Sequence, residues 1–260
     1  MAARSLQPLF QPMILTIIKY VARVLGLASL ASLPLAMTGC QAVSGSTSLS
    51  QLRIIDASPD SGGLDIYVSG SAVAFNLGFG TITSYIATTP GTYTIKVNQA
   101  GTQTALITTR ATLPANKQFT LLAGNVNASL EGVVLADQSS PAPSGQISLR
   151  FLDQATKIGA VDIYLVPAGS TLLTVSAIAN GVNFDGNTGY LNVPVGMYKL
   201  YVLPAGTVPA AATVPTYAGG SVVYPQGSAR TIVLLDTQVT TTPGVQVITA
   251  NYYDSATAIS

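Results

Sequence analysis

An internal repeat is the feature that most constrains the fold of this chain. Residues 52–56 (LRIID) recur as residues 149–153 (LRFLD), and residues 64–68 (LDIYV) recur as residues 161–165 (VDIYL), at an offset of 97 in both cases. Because collinear matches of this kind are typical of a duplication, the sequence predicts two copies of one module.

The two copies also match further along the chain, at a larger offset. Residues 90–97 (PGTYTIKV) correspond to residues 195–202 (VGMYKLYV) at an offset of 105. The second copy has therefore gained eight residues between the two matched regions.

A proline-rich stretch separates the copies. Residues 139–145 (SSPAPSG) contain two prolines and have no periodic apolar face, which is typical of a semi-rigid linker. We therefore predict a first module at 51–138, a linker at 139–146 and a second, more divergent module at 147–255.

Apolar and polar residues alternate within each module. Tyr93, Ile95 and Val97 share one face of the segment around them, and no stretch after Cys40 keeps a helical period. This alternation predicts strands that bury one face and expose the other. About seven short strands per module are typical of an immunoglobulin-like β-sandwich, so we predict an all-β fold of two tandem β-sandwich modules. The predicted strands lie near residues 52–56, 64–68, 82–87, 91–98, 104–110, 118–123 and 130–136, then 147–153, 161–166, 172–178, 188–193, 196–203, 229–236 and 245–253.

Residues 1–39 have the layout of a signal peptide. Arg4, Lys19 and Arg23 occur without any acidic residue. The apolar run that follows them is too short to cross a bilayer, which takes about 20 apolar residues. The string at 35–40 (LAMTGC) resembles the lipobox of bacterial lipoproteins. The resemblance implies that Cys40 receives a diacylglyceryl group and becomes the first residue of the mature chain.

Lipid attachment at Cys40 would determine where the protein resides. Two or three acyl chains anchor a protein stably to a membrane, and residues 40–50 would form a short lipidated tether. Since Gln41 rather than an aspartate follows the cysteine, the resemblance places the protein in the cell envelope, at the outer membrane. The alternative is an ordinary secretory signal that is cleaved behind residues 42–44 (AVS) and leaves a soluble protein.

Charge and composition exclude several classes of function. Removal of Arg4, Lys19 and Arg23 leaves 8 of the 11 basic residues against 10 acidic residues, a formal charge of −2. Because the basic residues are scattered singly, we expect no nucleic-acid binding. The chain has no histidine and one cysteine. This composition excludes a Ser-His-Asp triad, histidine zinc sites and an internal disulfide, and we expect no cofactor.

Aspartates at matching positions of the two modules are the candidates for chemistry. Asp56 and Asp65 recur as Asp153 and Asp162, and a pair of carboxylates about 5 to 9.5 Å apart could act in a glycosidase. We favour the interpretation that they accept backbone hydrogen bonds at strand ends. Asp56, Asp60 and Asp65 are also candidate Ca²⁺ ligands, although their spacing matches no known calcium loop.

Tyrosines are the second set of candidates. If several shared an exposed face, they could form a platform for a glycan or a peptide. The alternative is that they belong to the cores or flank the strands. The candidates are Tyr67, Tyr85, Tyr93, Tyr164, Tyr190, Tyr198, Tyr201, Tyr252 and Tyr253.

The first module resembles a known bacterial family. Residues 53–60 (RIIDASPD), the strand at 64–68 and residues 90–93 (PGTY) are similar to domain-of-unknown-function family 4397 (DUF4397). The resemblance covers nearly all of 51–138, whereas the second copy has QATK at 154–157 and matches more loosely. The family implies secreted or anchored β modules, and it offers no catalytic residues to transfer.

These observations together predict a membrane-anchored envelope lipoprotein that is not an enzyme. Its role would be ligand binding, adhesion or surface structure, and its partners would be the membrane, through the lipid, and a glycan or an envelope protein. Two alternatives stay open. One is a carboxylate-only hydrolase, such as a carbohydrate-active enzyme, and the other is a periplasmic assembly factor that lends a sheet edge to a partner strand.

The lipidation of Cys40 can be tested by the intact mass of the protein in the membrane fraction. We expect a mature chain that begins at Cys40 and carries the added mass of a diacylglyceryl group, because the lipobox directs acylation before cleavage. A mature chain that begins at an unmodified Gly45 would contradict the prediction.

Overall fold

The computed structural model of the protein describes residues 48–237 and 244–253, the last three through their backbone alone. The predicted signal peptide and its lipidation site, Cys40, lie outside these residues. The described residues form sixteen β-strands and two single-turn 3-10 helices, with no α-helix among them. Within the same ranges, no helix is long and apolar enough to cross a membrane.

The first module is a sandwich of two four-stranded sheets. Its strands are β1 (Ser50–Asp56), β2 (Leu64–Val68), β3 (Ser71–Leu77), β4 (Ile86–Thr88), β5 (Gly91–Gln99), β6 (Ala105–Leu113), β7 (Gln118–Gly124) and β8 (Glu131–Asp137). Sheet A has the order β4-β1-β7-β8, and sheet B has the order β3-β2-β5-β6. β1 and β7 pair in parallel, while the other pairings are antiparallel.

The second module repeats this architecture strand for strand. Its strands are β9 (Gln146–Gln154), β10 (Val161–Pro167), β11 (Ala179–Val182), β12 (Asn187–Pro194), β13 (Gly196–Pro204), β14 (Tyr217–Tyr224), β15 (Ala229–Asp236) and β16 (Val245–Tyr253). Sheet C has the order β12-β9-β15-β16, and sheet D has the order β11-β10-β13-β14. Again the first and seventh strands, β9 and β15, pair in parallel. The predicted all-β fold of two tandem sandwiches is confirmed.

Each module has its own apolar core between its two sheets. In the first module, Leu52 and Ile54 of β1 pack with Ile66 of β2 in a single buried cluster. In the second module, Phe151 of β9 and Ile163 of β10 belong to the corresponding cluster. The alternation read from the sequence therefore identifies the faces that line these two cores.

A third apolar cluster joins the two modules. Ile55 of β1 and Leu122 of β7, on the outer face of sheet A, pack with Leu152 of β9 and Val233 of β15, on the outer face of sheet C. All four side chains are at most 4% exposed. Sheets A and C are thus covered on both faces, and the layers follow the order B, A, C, D. The described residues of both modules belong to one compact unit.

The segment between the modules is docked rather than extended into solvent. The backbone N–H of Ala142 donates to the carbonyl of Gly227 at 2.9 Å, and Ser139 Oγ accepts a hydrogen bond from the N–H of Gln118 at 3.2 Å. The linker is therefore tied to both sandwiches. Close approach also requires Gly124, because a Cβ there would collide with the carboxamide of Gln154 in the other module.

Four strands differ from the sequence-based prediction. The strand predicted at 82–87 is shorter and lies later, at β4, with only an isolated bridge at Ile82. β3 and β14 were not predicted, because Ala, Gly, Ser and Asn interrupt their alternation, and both are exposed edge strands of their sheets. The strand predicted at 172–178 is wrong. This segment contains the 3-10 helix Leu172–Thr174, and the strand of this part of sheet D follows at β11.

Candidate ligand-binding site and the interface between the modules

A buried ionic cluster lies between sheets A and C, with Asp137 of β8 at its centre. Arg150 of the second module donates from Nη2 to Asp137 Oδ1 at 2.7 Å and from Nη1 to the carbonyl of Ala136 at 3.0 Å. Arg53 of the first module reaches the same carboxylate, with Nε 3.7 Å from Oδ2. Since both arginines are only 2% exposed, this one carboxylate links the two modules in an environment that excludes water.

The two arginines occupy equivalent positions and have equivalent partners. Arg53 Nε donates to Thr120 Oγ1 at 2.9 Å, and Arg150 Nε donates to Thr231 Oγ1 at 3.0 Å. Each threonine lies on the parallel strand next to the arginine. Thr120 in turn donates to Asp137 Oδ2 at 2.6 Å. The duplication has therefore placed two copies of one buried arginine against a single aspartate.

Two of the candidate tyrosines belong to this cluster. The guanidinium of Arg53 lies 4.9 Å from the ring centroid of Tyr85, and that of Arg150 lies 4.8 Å from the centroid of Tyr190. Tyr85 also donates to Asp137 Oδ2 at 2.7 Å. Both rings stabilise the buried guanidinium groups through cation–π contact, so they hold the interface together and are not part of an exposed platform.

Asp56 and Asp153 form equivalent buried turns at the ends of β1 and β9. Oδ1 of Asp56 accepts a hydrogen bond from the N–H of Ser58 at 3.0 Å, and Oδ1 of Asp153 accepts one from Ala155 at 3.0 Å. The second oxygen of each is buried without a partner among the described residues. Burial raises the pKa of Asp56 to about 7 and that of Asp153 to about 6.

Asp65 and Asp162 each bind an edge strand and a loop of their sandwich. The carboxylate of Asp65 accepts hydrogen bonds from the N–H groups of Asn76 and Gly101, at 2.8 and 2.9 Å. The carboxylate of Asp162 accepts two from Gly181 and Gly206, both at 2.8 Å. Both oxygens of each side chain are therefore engaged by backbone donors, as the structural interpretation of the sequence predicts.

The candidate calcium ligands are engaged in the same way. Asp60 Oδ1 accepts a hydrogen bond from the N–H of Asn127 at 2.7 Å, which ties the loop after β1 to the loop after β7. Among the described residues, no group of three or more His, Cys, Asp or Glu side chains is placed to hold a metal ion. The structure thus does not bring Asp56, Asp60 and Asp65 together as a metal centre.

Two further tyrosines secure the turns before β5 and β13. Tyr93 donates from its hydroxyl to the carbonyl of Thr89 at 2.5 Å, and Tyr198 donates to that of Pro194 at 2.8 Å. Each bond reaches four residues back, as in the tyrosine corner of Greek-key sandwiches. The rings lie over Gly91 and Gly196, and a Cβ at Gly196 would come within 3.3 Å of the ring of Tyr198. Tyr252 and Tyr253 are among the last three residues of β16, which are described through their backbone alone.

A pocket of about 370 Å³ opens on the outer face of sheet D. Its floor is formed by the outward residues of β13, Met197, Lys199 and Tyr201, which alternate with core residues such as Leu200. One wall is the start of the connection between β10 and β11. The described lining residues are Val166, Pro167, Ala168, Gly169, Ser170, Thr171, Leu172, Met197, Tyr198, Lys199, Tyr201 and Ser221.

The corresponding face of the first module has different side chains and a much shorter connection. Only Ser69 and Gly70 join β2 to β3, whereas residues 168–178 join β10 to β11. At the positions of Lys199, Tyr201 and Ser221, the first module has the exposed Thr94, Lys96 and Arg110. At these three positions the second module thus has one cation and one aromatic ring where the first has two cations, and its longer connection adds a wall.

Sequence reasoning did not find this pocket, although one signal for it was present. The eight residues that the second copy has gained lie between the two matched regions, and they fall in the connection that forms the wall. An insertion confined to one copy of a duplicated module indicates where the two copies differ in structure. Because residues 172–178 were predicted to be a strand, the insertion was not recognised as a long connection.

Comparison with known proteins gives a family match and distant structural similarities. Residues 50–164 match the family described as "Domain of unknown function (DUF4397)". The predicted resemblance to that family is confirmed over this range, which extends through β9 into β10. No curated protein matches the chain significantly.

Three of the solved structures that match are each similar to this chain at a TM-score of 0.24. The Bacillus anthracis TIE protein is 12% identical, over 72% of this chain and 34% of its own, so the chain spans about a third of its length. Family 41 carbohydrate-binding modules from streptococcal virulence factors are 12% identical, over 71% of this chain and 93% of theirs. CBMbc (family CBM26) from Eubacterium rectale Amy13K is 12% identical, over 79% of this chain and 99% of its own.

The ionic cluster at the interface predicts a large effect of Asp137→Asn. Removal of the shared negative charge leaves two buried guanidinium groups beside a neutral amide, and breaking a buried ion pair from one side costs about 3–5 kcal/mol. We expect the free energy of unfolding, measured by urea denaturation, to fall by that amount. Glu131→Gln, on the exposed end of the same strand, is the matched control and should change it by less than about 0.5 kcal/mol. Equal effects of the two substitutions would contradict this role for Asp137.

The buried aspartates predict that the protein is more stable at pH 5 than at pH 8. The pKa of Asp56 in the folded protein, about 7, lies above its ordinary value of 3.8. Its stabilising contribution is therefore fully present below about pH 4 and is lost as the pH rises through 7. Between the two pKa values the folded protein keeps a proton on Asp56 that the unfolded chain has released, so the free energy of unfolding falls by roughly 1.4 kcal/mol for each pH unit. We expect Asp56→Asn to reduce the loss of stability between pH 5 and 8, because it removes this proton. If urea unfolding of Asp56→Asn showed the same dependence on pH as the parent protein, the raised pKa of Asp56 would be refuted.

Proposed function

We propose that this chain is a lipid-anchored protein of the cell envelope that binds a ligand without catalysing a reaction. In this proposal Cys40 carries the lipid, the first module is a rigid spacer and the second module presents the binding site. The ligand is a glycan or another component of the envelope, and the outer membrane is the expected location.

The difference between the two copies is the observation that carries the proposal. They share their strand order, their loop-binding aspartates and their tyrosine corners, all of which maintain the fold. The pocket on sheet D belongs to the second copy and is built from its own insertion and from Lys199 and Tyr201. A feature that the fold does not need, found in one of two equivalent modules, indicates a function specific to that module.

The buried interface supports the spacer role of the first module. Ile55 and Leu122 pack against Leu152 and Val233, and Asp137 joins arginines from both modules. Two sandwiches joined only by a flexible linker would reorient freely, whereas these move as one body. A rigid pair of modules holds the pocket at a fixed distance from Ser50, where β1 begins.

The hydrogen bonding of Asp65 and Asp162 favours a binding function over hydrolysis. A carboxylate-only hydrolase requires an acid and a base that face one cleft. Both oxygens of Asp65 and both oxygens of Asp162 accept backbone hydrogen bonds, and the described lining of the pocket on sheet D contains no acidic residue. We therefore rank the hydrolase alternative below the binding function.

Binding of the soluble chain, residues 41–260, to isolated envelope fragments tests the proposal. We expect Tyr201→Ala to weaken binding by about tenfold, because an aromatic floor contributes most of the contact area in such a pocket. Tyr67→Ala, the same substitution on the equivalent face of the first module, is the matched control and should have no effect. Pretreatment of the fragments with periodate or with protease distinguishes a glycan from a protein ligand. Equal binding by Tyr201→Ala and the parent, or turnover of the fragments, would refute the proposal.

A further inference from the structure

We propose that the pocket of the second module accepts a carboxylate-bearing sugar residue of an acidic glycan. The inference rests on the proposed function, that the second module binds a ligand, and it specifies the chemistry of that ligand. The pocket combines a single cation, a small apolar and aromatic floor, and a wall that carries hydroxyl groups.

Lys199 gives the pocket its charge. It is the one charged residue among the described lining residues, and its neighbours across the sheet are the uncharged Val166 on β10 and Ser221 on β14. An ammonium group without a carboxylate beside it attracts an anionic group of the ligand. Because the ammonium is a single compact charge, it suits a carboxylate at one fixed point.

The floor beside Lys199 suits the apolar face of a sugar ring. Tyr201 lies two residues further along β13 on the same face and pairs across the sheet with Tyr164, while Met197 lies two residues before Lys199. The ring of Tyr201 offers a flat surface with a polar group at its edge, and the thioether of Met197 adds an adaptable apolar contact. The ammonium group of Lys199 therefore stands between two apolar surfaces that could contact one ring.

The wall offers hydrogen-bonding groups that match sugar hydroxyls. Ser170 and Thr171, in the connection after β10, and Ser221, on β14, place hydroxyl groups around the opening. A hydroxyl both donates and accepts, as the hydroxyls of a sugar do. A volume of about 370 Å³ is at the lower end of the range for small-ligand pockets, which suits a short segment of a glycan.

A glycan fits this face better than an acidic peptide. β13, which forms the floor, already pairs with β10 on one side and with β14 on the other. Its backbone N–H and C=O groups are therefore used within the sheet, and a peptide cannot add to it as a further strand. Recognition at the floor must come from side chains, which is how a rigid ring with many hydroxyls is held.

Comparison with the first module indicates that selectivity for a carboxylate-bearing sugar comes from the wall around one cation rather than from the number of cations. Its equivalent face carries Lys96 and Arg110, exposed and without the long connection that forms the wall. Two open cations attract anions of any shape. In the second module the single Lys199 within a walled pocket restricts binding to a carboxylate that is attached to a ring of suitable size.

The experiment measures binding of the soluble chain to matched pairs of glycans that differ in one charge. The probes are trigalacturonate with its methyl ester, and sialyllactose with lactose, immobilised on a glycan array and then titrated in solution. We expect at least one acidic member to bind about tenfold more tightly than its neutral partner at low salt, since a charge-assisted hydrogen bond contributes on this scale.

Three variants separate a specific role of Lys199 from general electrostatic attraction. We expect Lys199→Gln to remove the preference for the acidic member while leaving binding to the neutral member unchanged, and Lys199→Arg to retain part of the preference. Lys96→Gln, at an exposed position of the equivalent strand in the first module, should change neither. Circular dichroism and thermal unfolding verify that each variant is folded, which is expected because both lysines are exposed.

The outcomes distinguish this inference from the proposed function. Equal binding of acidic and neutral partners, or a charge preference that persists in Lys199→Gln, overturns the acidic-sugar assignment and leaves a ligand-binding pocket. A third outcome is that no acidic glycan on the array binds in a way that depends on Lys199, while an acidic peptide does. That result overturns the acidic-sugar assignment in favour of a peptide ligand. If binding to envelope fragments were the same in Tyr201→Ala and the parent chain, the proposed function itself would be refuted.

Discussion

The carboxylate of Asp137, shared between Arg53 and Arg150, is the interaction on which the arrangement of the two modules depends. All three groups are buried between sheets A and C, where an unpaired charge would be severely destabilising. The guanidinium groups can reach the same carboxylate in one relative placement of the sheets. The surrounding apolar contacts supply free energy of association, while the ionic cluster favours a placement of the sheets in which both guanidinium groups reach this carboxylate.

The duplication explains why such an interface could form. Sheets A and C are equivalent sheets of equivalent modules, so each brings a matching arginine and threonine to the contact. A single module would expose on its outer face the apolar residues that here form the third cluster, such as Ile55 or Leu152. The second copy covers that face. The opposite face of the second module, on sheet D, takes no part in this interface and carries the pocket.

Much of the fold could be predicted from the sequence, for identifiable reasons. The repeated LRIID and LDIYV segments form the central strands of each sandwich, and strong alternation made strands such as β5 and β13 evident. The weakly patterned edge strands β3 and β14 were missed, because small and polar residues at an edge need not alternate. Residues 172–178 contain apolar residues at strand-like spacing, yet they form a connection in which packing against the sheet decides the conformation.

By itself the sequence determined the class of fold, the two copies of one module and the lack of histidine chemistry, and it predicts a lipid at Cys40, because each follows from local residue types and their spacing. Only the tertiary structure decided that Arg53, Arg150 and Asp137 meet, that the aspartates hold loops, and that Lys199 and Tyr201 share a walled pocket. These facts depend on contacts between residues that are distant in the chain, and such contacts exist only once the sheets have packed against one another.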